Sequence, residues 1–262
     1  MSSPLIILTN DDGIQSPGLR AVAQAVADLG ELLIVAPRRQ QTSMARAFHG
    51  RGIARAIVYR VNRRAVRAYD VPTSPAVTVR HAILLLADRA PALVISGINY
   101  GENIGSGVTI SGTVGAALEA ASLGVPAIAA SIQTELKYHR THSTAIDFSI
   151  AAQSTREFAR RVLTRGLPRG VDVLNVNVPA GSTKTTPWRW TRISRLSYFR
   201  STVAETRRGK RFTGYELNVD RGLVELDSDI HALLYDRVVS VSPMTYDLTA
   251  RVTARALNKW GV

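Results

Sequence analysis

Two adjacent carboxylates, Asp11 and Asp12, directly follow a run of apolar residues in the segment LIILTNDDGI. Like charges this close repel each other. The cost falls if a divalent cation lies between them, or if one carboxylate binds metal while the other accepts a proton. Asn, Asp and Gly also dominate ordinary turns. Taken alone, the segment NDDG favours a turn, and a metal site is the alternative.

Neutral oxygen atoms from two other segments would complete a site for a hard cation. The segment PRRQQTS offers a hydroxyl from Thr42 or Ser43, and a later segment offers the amide of Asn99. Two carboxylates with amide and hydroxyl oxygens suit Mg²⁺ or Mn²⁺. Because the chain contains no cysteine, it can form no thiolate metal site and no disulfide.

A glycine-rich segment, GINYGENIGSGVTISGT, is the third stretch that could do chemistry. Its glycines allow a backbone to approach a ligand closely, and a helix beginning near Ser111 would direct free N–H groups and its positive dipole end at an anion. A loop that needs positive φ angles would explain some of these glycines regardless. The segment lacks the Lys of a Walker A loop and does not match GxGxxG, which disfavours a P-loop ATPase and dinucleotide binding.

The other residue patterns in the sequence are weaker evidence for a functional site. His139 and His142 could share a helical face as metal ligands, but they stand in a polar stretch without a paired carboxylate, so a solvated loop is the favoured interpretation. A run with Arg207, Arg208 and Arg211 is interpreted as a solvated or intersubunit face. The absence of a GxSxG segment argues against an α/β-hydrolase triad.

The charge of the chain favours anionic partners. With 33 basic and 20 acidic residues, the formal net charge is +13, which suits a phosphorylated small molecule as well as nucleic acid. No zinc-finger spacing, bZIP heptads or aromatic RNA-binding segment is present, so we do not expect nucleic acid as the main partner. With no long apolar run and no signal-peptide pattern, we expect a soluble cytoplasmic protein without a membrane partner.

The elements that must position these residues alternate between strands and helices. The predicted strands are residues 5–9, 32–36, 92–96, 125–132 and 172–178, with extended segments at 53–61 and 66–71. Predicted helices begin near Pro17, Pro75 and Ser111. This alternation is typical of an α/β fold with a mostly parallel sheet and helices on both faces. Ligands bind at the carboxyl ends of such strands, so we expect the three polar segments to converge.

Beyond residue 140 the pattern is less regular. Residues 145–163 predict an amphipathic helix, and residues 181–238 are polar, Arg-rich and extended, with scattered aromatic residues. We interpret this stretch as a β-rich arm that packs on a neighbouring subunit, followed by a last helix at about 248–260. The predicted division is a catalytic core at 1–181 and an arm with the C-terminal helix at 182–262.

Three segments together resemble the SurE family, the survival protein E nucleotidases: LTNDDGIQSPGL, VAPRRQQTS and SGINYGENIGSGVTISGTVGAALEAASLGVPAIA. The segment DSDIHALLYDRVVSVSPMTYDLT is similar to that family's C-terminal end. The resemblance implies a Rossmann-like core, a homodimer or homotetramer with exchanged C-terminal arms, and metal-dependent removal of phosphate from nucleoside monophosphates. It implies one divalent cation, Mg²⁺ or Mn²⁺, per subunit.

Carried over residue by residue, the resemblance implies catalytic and metal-binding roles for Asp11, Asp12 and Asn99. Thr42 matches the hydroxyl ligand by spacing, in preference to Ser43. Contacts with phosphate or substrate are implied for Asn10, Gly13, Asn103, Ser111, Gly112 and Thr113.

The chain also departs from the family pattern. Arg38 stands where an acidic residue is usual, Ile110 stands where an aromatic residue is frequent, and TSPAV replaces TPAD. These departures bear on substrate preference and leave the metal set intact. A phosphate- or nucleotide-binding regulator without turnover is the alternative, and the paired carboxylates argue against it, since anion binding alone does not need them.

Overall fold

The computed structural model describes residues 3–259. Its strands are β1 (Leu5–Thr9), β2 (Glu31–Pro37), β3 (Arg55–Ala56), β4 (Tyr59–Val61), β5 (Arg64–Val71), β6 (Leu93–Tyr100), β7 (Ala127–Ile132), β8 (Val173–Val178), β9 (Trp188–Trp190), β10 (Phe199–Thr206), β11 (Gly209–Leu217) and β12 (Val239–Met244). Its α-helices are α1 (Pro17–Val26), α2 (Pro75–His81), α3 (Gly112–Ser122), α4 (Ser149–Arg165), α5 (Asp229–Leu234) and α6 (Ala254–Asn258).

One large sheet holds most of the strands, in the order β3-β5-β2-β1-β6-β7-β8-β12-β9, with β4 paired to β5. The central strands β5, β2, β1, β6, β7 and β8 are parallel neighbours, and β12 runs antiparallel to β8. The chain builds outward from β1 to β2 and β5, then returns to the other side of β1 with β6. The carboxyl ends of β1 and β6 therefore flank the switch point at which ligands bind in open α/β sheets.

The core lies on both faces of this sheet because side chains of each strand alternate between them. In β1, Ile6 and Leu8 pack with α1 and α4, while Leu5 and Ile7 pack with α2 and α3. All four side chains are at most 1% exposed. This confirms the predicted α/β class with a mostly parallel sheet covered on both faces.

Helix boundaries differ from the sequence-based prediction in two places. α4 begins at Ser149 rather than at residue 145. The C-terminal helix spans only Ala254–Asn258, and the predicted end at Trp260 lies outside the described residues. Terminal boundaries are the least certain part of any helix prediction. No helix among residues 3–259 is long and apolar enough to cross a membrane.

The predicted division at residue 181 does not follow the sheet. β9 and β12, which lie beyond that residue, extend the main sheet next to β8. Only β10 and β11 stand apart, as an antiparallel hairpin that is largely exposed. This hairpin is the part of the described stretch 182–259 whose strands lie outside the main sheet, and the division at residue 181 and the exchange of the arm with a second subunit stay predictions.

Candidate active site

The carboxyl ends of β1 and β6 and the loop after β2 meet around a cavity of about 270 Å³. Six of the candidate metal- or phosphate-binding residues line it: Asp11, Thr42, Ser43, Asn99, Asn103 and Ser111. The three polar segments therefore converge at the switch point. This is expected because each of them follows the carboxyl end of a parallel strand.

Asp11 is held in place by the beginning of α3. The hydroxyl of Thr113 donates to Asp11 Oδ1 at 2.6 Å. A Cβ on Gly112 would lie 2.8 Å from both Cβ and Oδ2 of Asp11, so the carboxylate packs directly against a residue without a side chain. Burial raises the pKa of Asp11 to about 6, although the hydrogen bond from Thr113 opposes the shift.

Asp12 is only 1% exposed. Its Oδ1 accepts from Gln40 Nε2 at 3.3 Å, while Oδ2 has no hydrogen-bond partner among residues 3–259. Burial, together with the adjacent charge of Asp11, raises the pKa of Asp12 well above its usual value. A buried, incompletely paired carboxylate is costly unless a positive charge compensates it. This orphaned oxygen is what a bound cation would satisfy.

Asn99 lines the cavity together with Asp11, whereas Asp12 lies behind Asp11 and is not among the residues that line it. The Nδ2 of Asn99 donates to the carbonyl oxygens of Tyr100 at 3.2 Å and Gly101 at 2.7 Å. Because these two acceptors fix the orientation of the amide, its Oδ1 is left as an acceptor available to a cation.

The donor set as a whole fits a hard divalent cation. Two carboxylates, one amide oxygen and a hydroxyl provide oxygen ligands alone, which Mg²⁺ and Mn²⁺ accept while keeping several waters. Among residues 3–259, no group of three or more His, Cys, Asp or Glu side chains could hold a metal. A cation here would therefore depend on neutral oxygens in addition to Asp11 and Asp12.

Thr42 and Ser43 both line the cavity, so the structure brings both residues to the site.

We expect Thr42→Val to lower kcat/KM by about tenfold, with partial rescue by excess metal, because water can replace one neutral ligand in part. Ser43→Ala should change kcat/KM by less than about twofold. Initial rates of phosphate release over a metal titration measure both. A larger loss for Ser43→Ala would show that the assignment of this loop is wrong by one residue.

Asn10 and Gly13 form the turn that presents the two carboxylates. Asn10 Nδ2 donates to Gly13 O at 3.0 Å, and Gly13 N donates to Asn10 Oδ1 at 3.1 Å. Asn10 is fully buried, and Gly13 adopts a φ of 98°, which glycine tolerates best. The side chain of Asn10 is thus engaged within the turn, and the substrate contact that the resemblance implies for Asn10 stays a prediction. The turn predicted for the segment NDDG is therefore also the loop that holds the two carboxylates of the candidate site.

Ser111 and Thr113 are also partly engaged within the protein. Ser111 Oγ accepts from Val114 N at 3.1 Å and caps α3 as predicted. Thr113 is fully buried and orients Asp11. Their side chains position the site, while the backbone N–H groups at the beginning of α3 are the groups suited to an anion.

Asn103 is fixed by two residues that the sequence analysis did not single out. Asn175 and Asn177 both donate to its carbonyl oxygen, at 2.9 and 3.1 Å, and Asn177 Oδ1 accepts from its N–H at 2.8 Å. Both side chains are fully buried in β8. Asn at alternate positions in the apolar strand VLNVNV is a signal that could have identified them, because buried amides require partners.

The interpretation of His139 as part of a solvated loop is wrong, whereas His142 is exposed in a loop, as expected. His139 is 8% exposed and lines the cavity, with Nδ1 3.0 Å from the hydroxyl of Tyr215 in β11. Burial lowers the pKa of His139. His142 Nε2 lies 2.8 Å from the backbone oxygen of Asp12. Both residues lie in the segment between β7 and α4.

Two of the positions at which this chain differs from the family pattern, Arg38 and Ile110, have different structural roles. Arg38 pairs with the buried Asp70, with Nε 2.8 Å from Oδ1, and Arg55 binds the other carboxylate oxygen. Arg38 therefore stabilises the edge of the sheet. Ile110 lines the cavity and is 60% exposed, so it is placed to influence what binds there.

The fold and the paired carboxylates define an α/β protein with an oxygen-ligand site at the switch point of its sheet. The family model described as "Survival protein SurE" matches residues 6–200, and the chain belongs to the SurE family. A relative named "5'-nucleotidase SurE" from Methanocella arvoryzae is 43% identical over 253 residues, covering 94% of this chain and 93% of the relative.

Two further comparisons agree over nearly the full length. The "5'-nucleotidase SurE" of Thermococcus gammatolerans is 41% identical over 250 residues, covering 94% of this chain and 92% of the relative. The crystal structure of the Sure protein from Aquifex aeolicus matches with a TM-score of 0.77 and 27% identity, covering 99% of this chain and 100% of that one. The resemblance drawn from the sequence motifs is confirmed.

Proposed function

We propose that this chain is a divalent-metal-dependent 5′-nucleotidase, which hydrolyses nucleoside monophosphates to nucleoside and phosphate. The observation that carries the proposal is the buried pair Asp11 and Asp12 near Asn99, because one oxygen of Asp12 has no hydrogen-bond partner in the described part of the chain. The names of the full-length relatives support the same activity. A regulator that only binds phosphate would gain nothing from two carboxylates next to its anion.

Asp11, Asp12, Asn99 and Thr42 would hold one Mg²⁺ or Mn²⁺ per subunit. When bound, the cation would stabilise negative charge on the phosphoryl oxygens. The carboxylates would orient the attacking water, and backbone N–H groups at Gly112 and Thr113 would bind phosphate oxygens at the positive end of α3. Thr113 keeps Asp11 in place, and Gly112 leaves room for it.

A panel of phosphate esters tests the substrate class. Phosphate release is measured with 5′- and 3′-nucleoside monophosphates and with glycerol phosphate, each in the presence of Mn²⁺ or Mg²⁺. We expect the highest kcat/KM with 5′-nucleotides. Binding of nucleotides without any phosphate release would contradict the proposal and favour the regulator.

We also infer a homo-oligomer built through the hairpin β10–β11. Val203 and Phe212 face each other across it and are 54% and 78% exposed. Exposed apolar residues on an extended hairpin are suited to packing against a second copy. We expect light scattering at micromolar concentration to give a dimer or tetramer, and Phe212→Asp to shift it toward smaller species. A monomeric wild type would contradict this inference.

A location in the cytoplasm and the absence of a nucleic-acid partner stay predictions from the sequence. Strong salt-dependent binding of nucleic acid without metal would contradict the second of them.

A further inference from the structure

Asp229, the first residue of α5, binds the glycine-rich segment from outside the cavity. Its Oδ2 accepts from the backbone N–H of Gly105 at 2.9 Å. Its Oδ1 accepts from the N–H of Ser194 at 3.0 Å and from that of Ile230 at 2.8 Å. Asp229 is fully buried and is not among the residues that line the cavity. One carboxylate therefore joins three parts of the chain that are distant in the sequence.

The beginning of α5 does not itself require this carboxylate. Ser228 is the N-cap residue, and its Oγ accepts from the N–H of His231 at 3.2 Å. Burial raises the pKa of Asp229 to about 6, and the three N–H groups oppose the shift. Burying a carboxylate is costly, and hydrogen bonds to a charged acceptor are stronger than neutral ones. What Asp229 adds to the fold is therefore its connection to Gly105 and Ser194.

Gly105 begins the turn that leads to α3. It has a φ of 58°, and a Cβ on it would lie 2.6 Å from the carbonyl oxygen of Leu196. The N–H of Ser106 donates to the same oxygen at 2.9 Å. A 3₁₀ turn over Gly105–Ile110 then runs directly into Ser111, the N-cap of α3. The two anchored N–H groups therefore fix the turn that positions the beginning of α3.

The residue before Gly105 is held by the same part of the chain. Ile104 lies in a small apolar cluster, separate from the cores on the two faces of the sheet, whose other buried members are Tyr198, Val224, Ile230 and Leu233. Ile104 and Ile230 are 2% and 0% exposed. Two adjacent residues of α5, Asp229 and Ile230, therefore hold two adjacent residues of the glycine-rich segment.

We propose that Asp229 is a positioning residue for phosphate hydrolysis, which keeps the backbone N–H groups at the beginning of α3 directed at the phosphate. It acts through Gly105 and the turn that follows. This inference rests on the proposed function, in which the N–H groups of Gly112 and Thr113 bind phosphate oxygens. Contacts that strengthen in the transition state require close positioning, so a small displacement of the turn should lower kcat more than it raises KM.

Asp229→Asn tests this role with almost no change in side-chain size. An amide has one acceptor oxygen and one donor nitrogen. The oxygen is expected to stay with the two donors Ser194 and Ile230, which leaves the nitrogen against the N–H of Gly105. We expect kcat for a 5′-nucleoside monophosphate to fall about tenfold, with KM within about twofold of wild type. Wild-type kcat in a folded Asp229→Asn would overturn the proposal.

Glu225→Gln is the matched control. Glu225 Oε2 accepts from Ser194 Oγ at 2.6 Å, so it binds the same segment as Asp229, but none of its hydrogen bonds within residues 3–259 reaches Gly105. Its kcat should stay within about twofold of wild type. Gly105→Ala disturbs the anchored contact from the other side and should reproduce the fall in kcat. Equal losses of kcat in Glu225→Gln and Asp229→Asn would show that both residues only support the fold, and would overturn the proposal.

Hydrogen exchange gives a readout that does not depend on turnover. The amides of residues 105–113 should exchange about tenfold faster in Asp229→Asn than in wild type, while those of β1 keep the wild-type rate. If wild type releases no phosphate from any nucleotide, the proposed function fails, and the exchange alone decides whether Asp229 holds the segment. Equal exchange of residues 105–113 in the two proteins would overturn the inference.

Discussion

Asp12→Asn is expected to lower kcat/KM by at least about 10²-fold, on the order of 3 kcal/mol in transition-state stabilisation. The substitution removes one negative charge from the proposed metal site while preserving the shape of the side chain. Asp11→Asn should have an effect of similar size, since it removes the same charge while its amide oxygen can still accept from Thr113. Steady-state phosphate release measures both, and activity within threefold of wild type would contradict the site assignment.

Asp12→Asn should also stabilise the folded protein when metal is absent. Because burial raises the pKa of both carboxyls in the folded state, to about 6 for Asp11, the folded form binds protons more tightly than the unfolded chain. The contribution of these two carboxyl groups to the free energy of unfolding is therefore fully present below about pH 4. It is lost as the pH rises through 6 and above. Metal-free wild type should melt at a lower temperature near pH 8 than near pH 5, and Asp12→Asn should reduce this difference.

Gly112→Ala is the second substitution for which we expect a large effect. The added Cβ would lie 2.8 Å from Asp11 Cβ and Oδ2, so the carboxylate must move. A displacement of about 1 Å at a reacting centre can cost about 10²-fold in rate. We expect kcat/KM to fall by about that factor while the helix content is retained, because Ala favours a helix more than Gly does.

Gly107→Ala provides the matched control for Gly112→Ala. Gly107 also lines the cavity, but a Cβ there would meet nothing within 4 Å. Its kcat/KM should stay within about threefold of wild type, and circular dichroism should show both variants folded. Wild-type activity in a folded Gly112→Ala would mean that the position of Asp11 does not matter for the reaction.

The central sheet could be predicted from the sequence because its strands are buried on both faces and read as continuous apolar runs. β1 and β6 are examples: the segment LIILT is followed at once by Asn10, and LVIS begins the strand that leads to Asn99. The convergence of Asp11, Thr42 and Asn99 on one cavity follows from the same pattern, since parallel strands end at one edge of the sheet.

The return of the chain to the sheet after residue 181 could not be predicted in this way. β12 pairs with β8 across more than 60 residues of sequence, and its neighbour β9 is only three residues long. Pairings between segments this distant depend on tertiary packing rather than on local periodicity. Local patterns therefore predict an extended arm over residues 181–238 and do not reveal β9 as part of the main sheet.

The burial of His139 could not be predicted from the sequence either. Its environment is created by Tyr215 and Phe199, which lie on a hairpin 60 or more residues further along the chain. Nothing within the polar segment around His139 indicates this contact. Asn10, in contrast, lies in the turn that the segment NDDG predicts, because Asn side chains readily hydrogen-bond to the backbone of such a turn.

Removal and return of metal tests the central claim most directly. Wild-type protein is stripped with a chelator and assayed for phosphate release from a 5′-nucleoside monophosphate, before and after addition of Mn²⁺ or Mg²⁺, with Asp12→Asn treated in parallel. The account predicts that activity falls below about 1% without metal, returns with either ion in wild type, and stays at least about 10²-fold lower in Asp12→Asn. Full phosphatase activity in thoroughly metal-free wild type would contradict it.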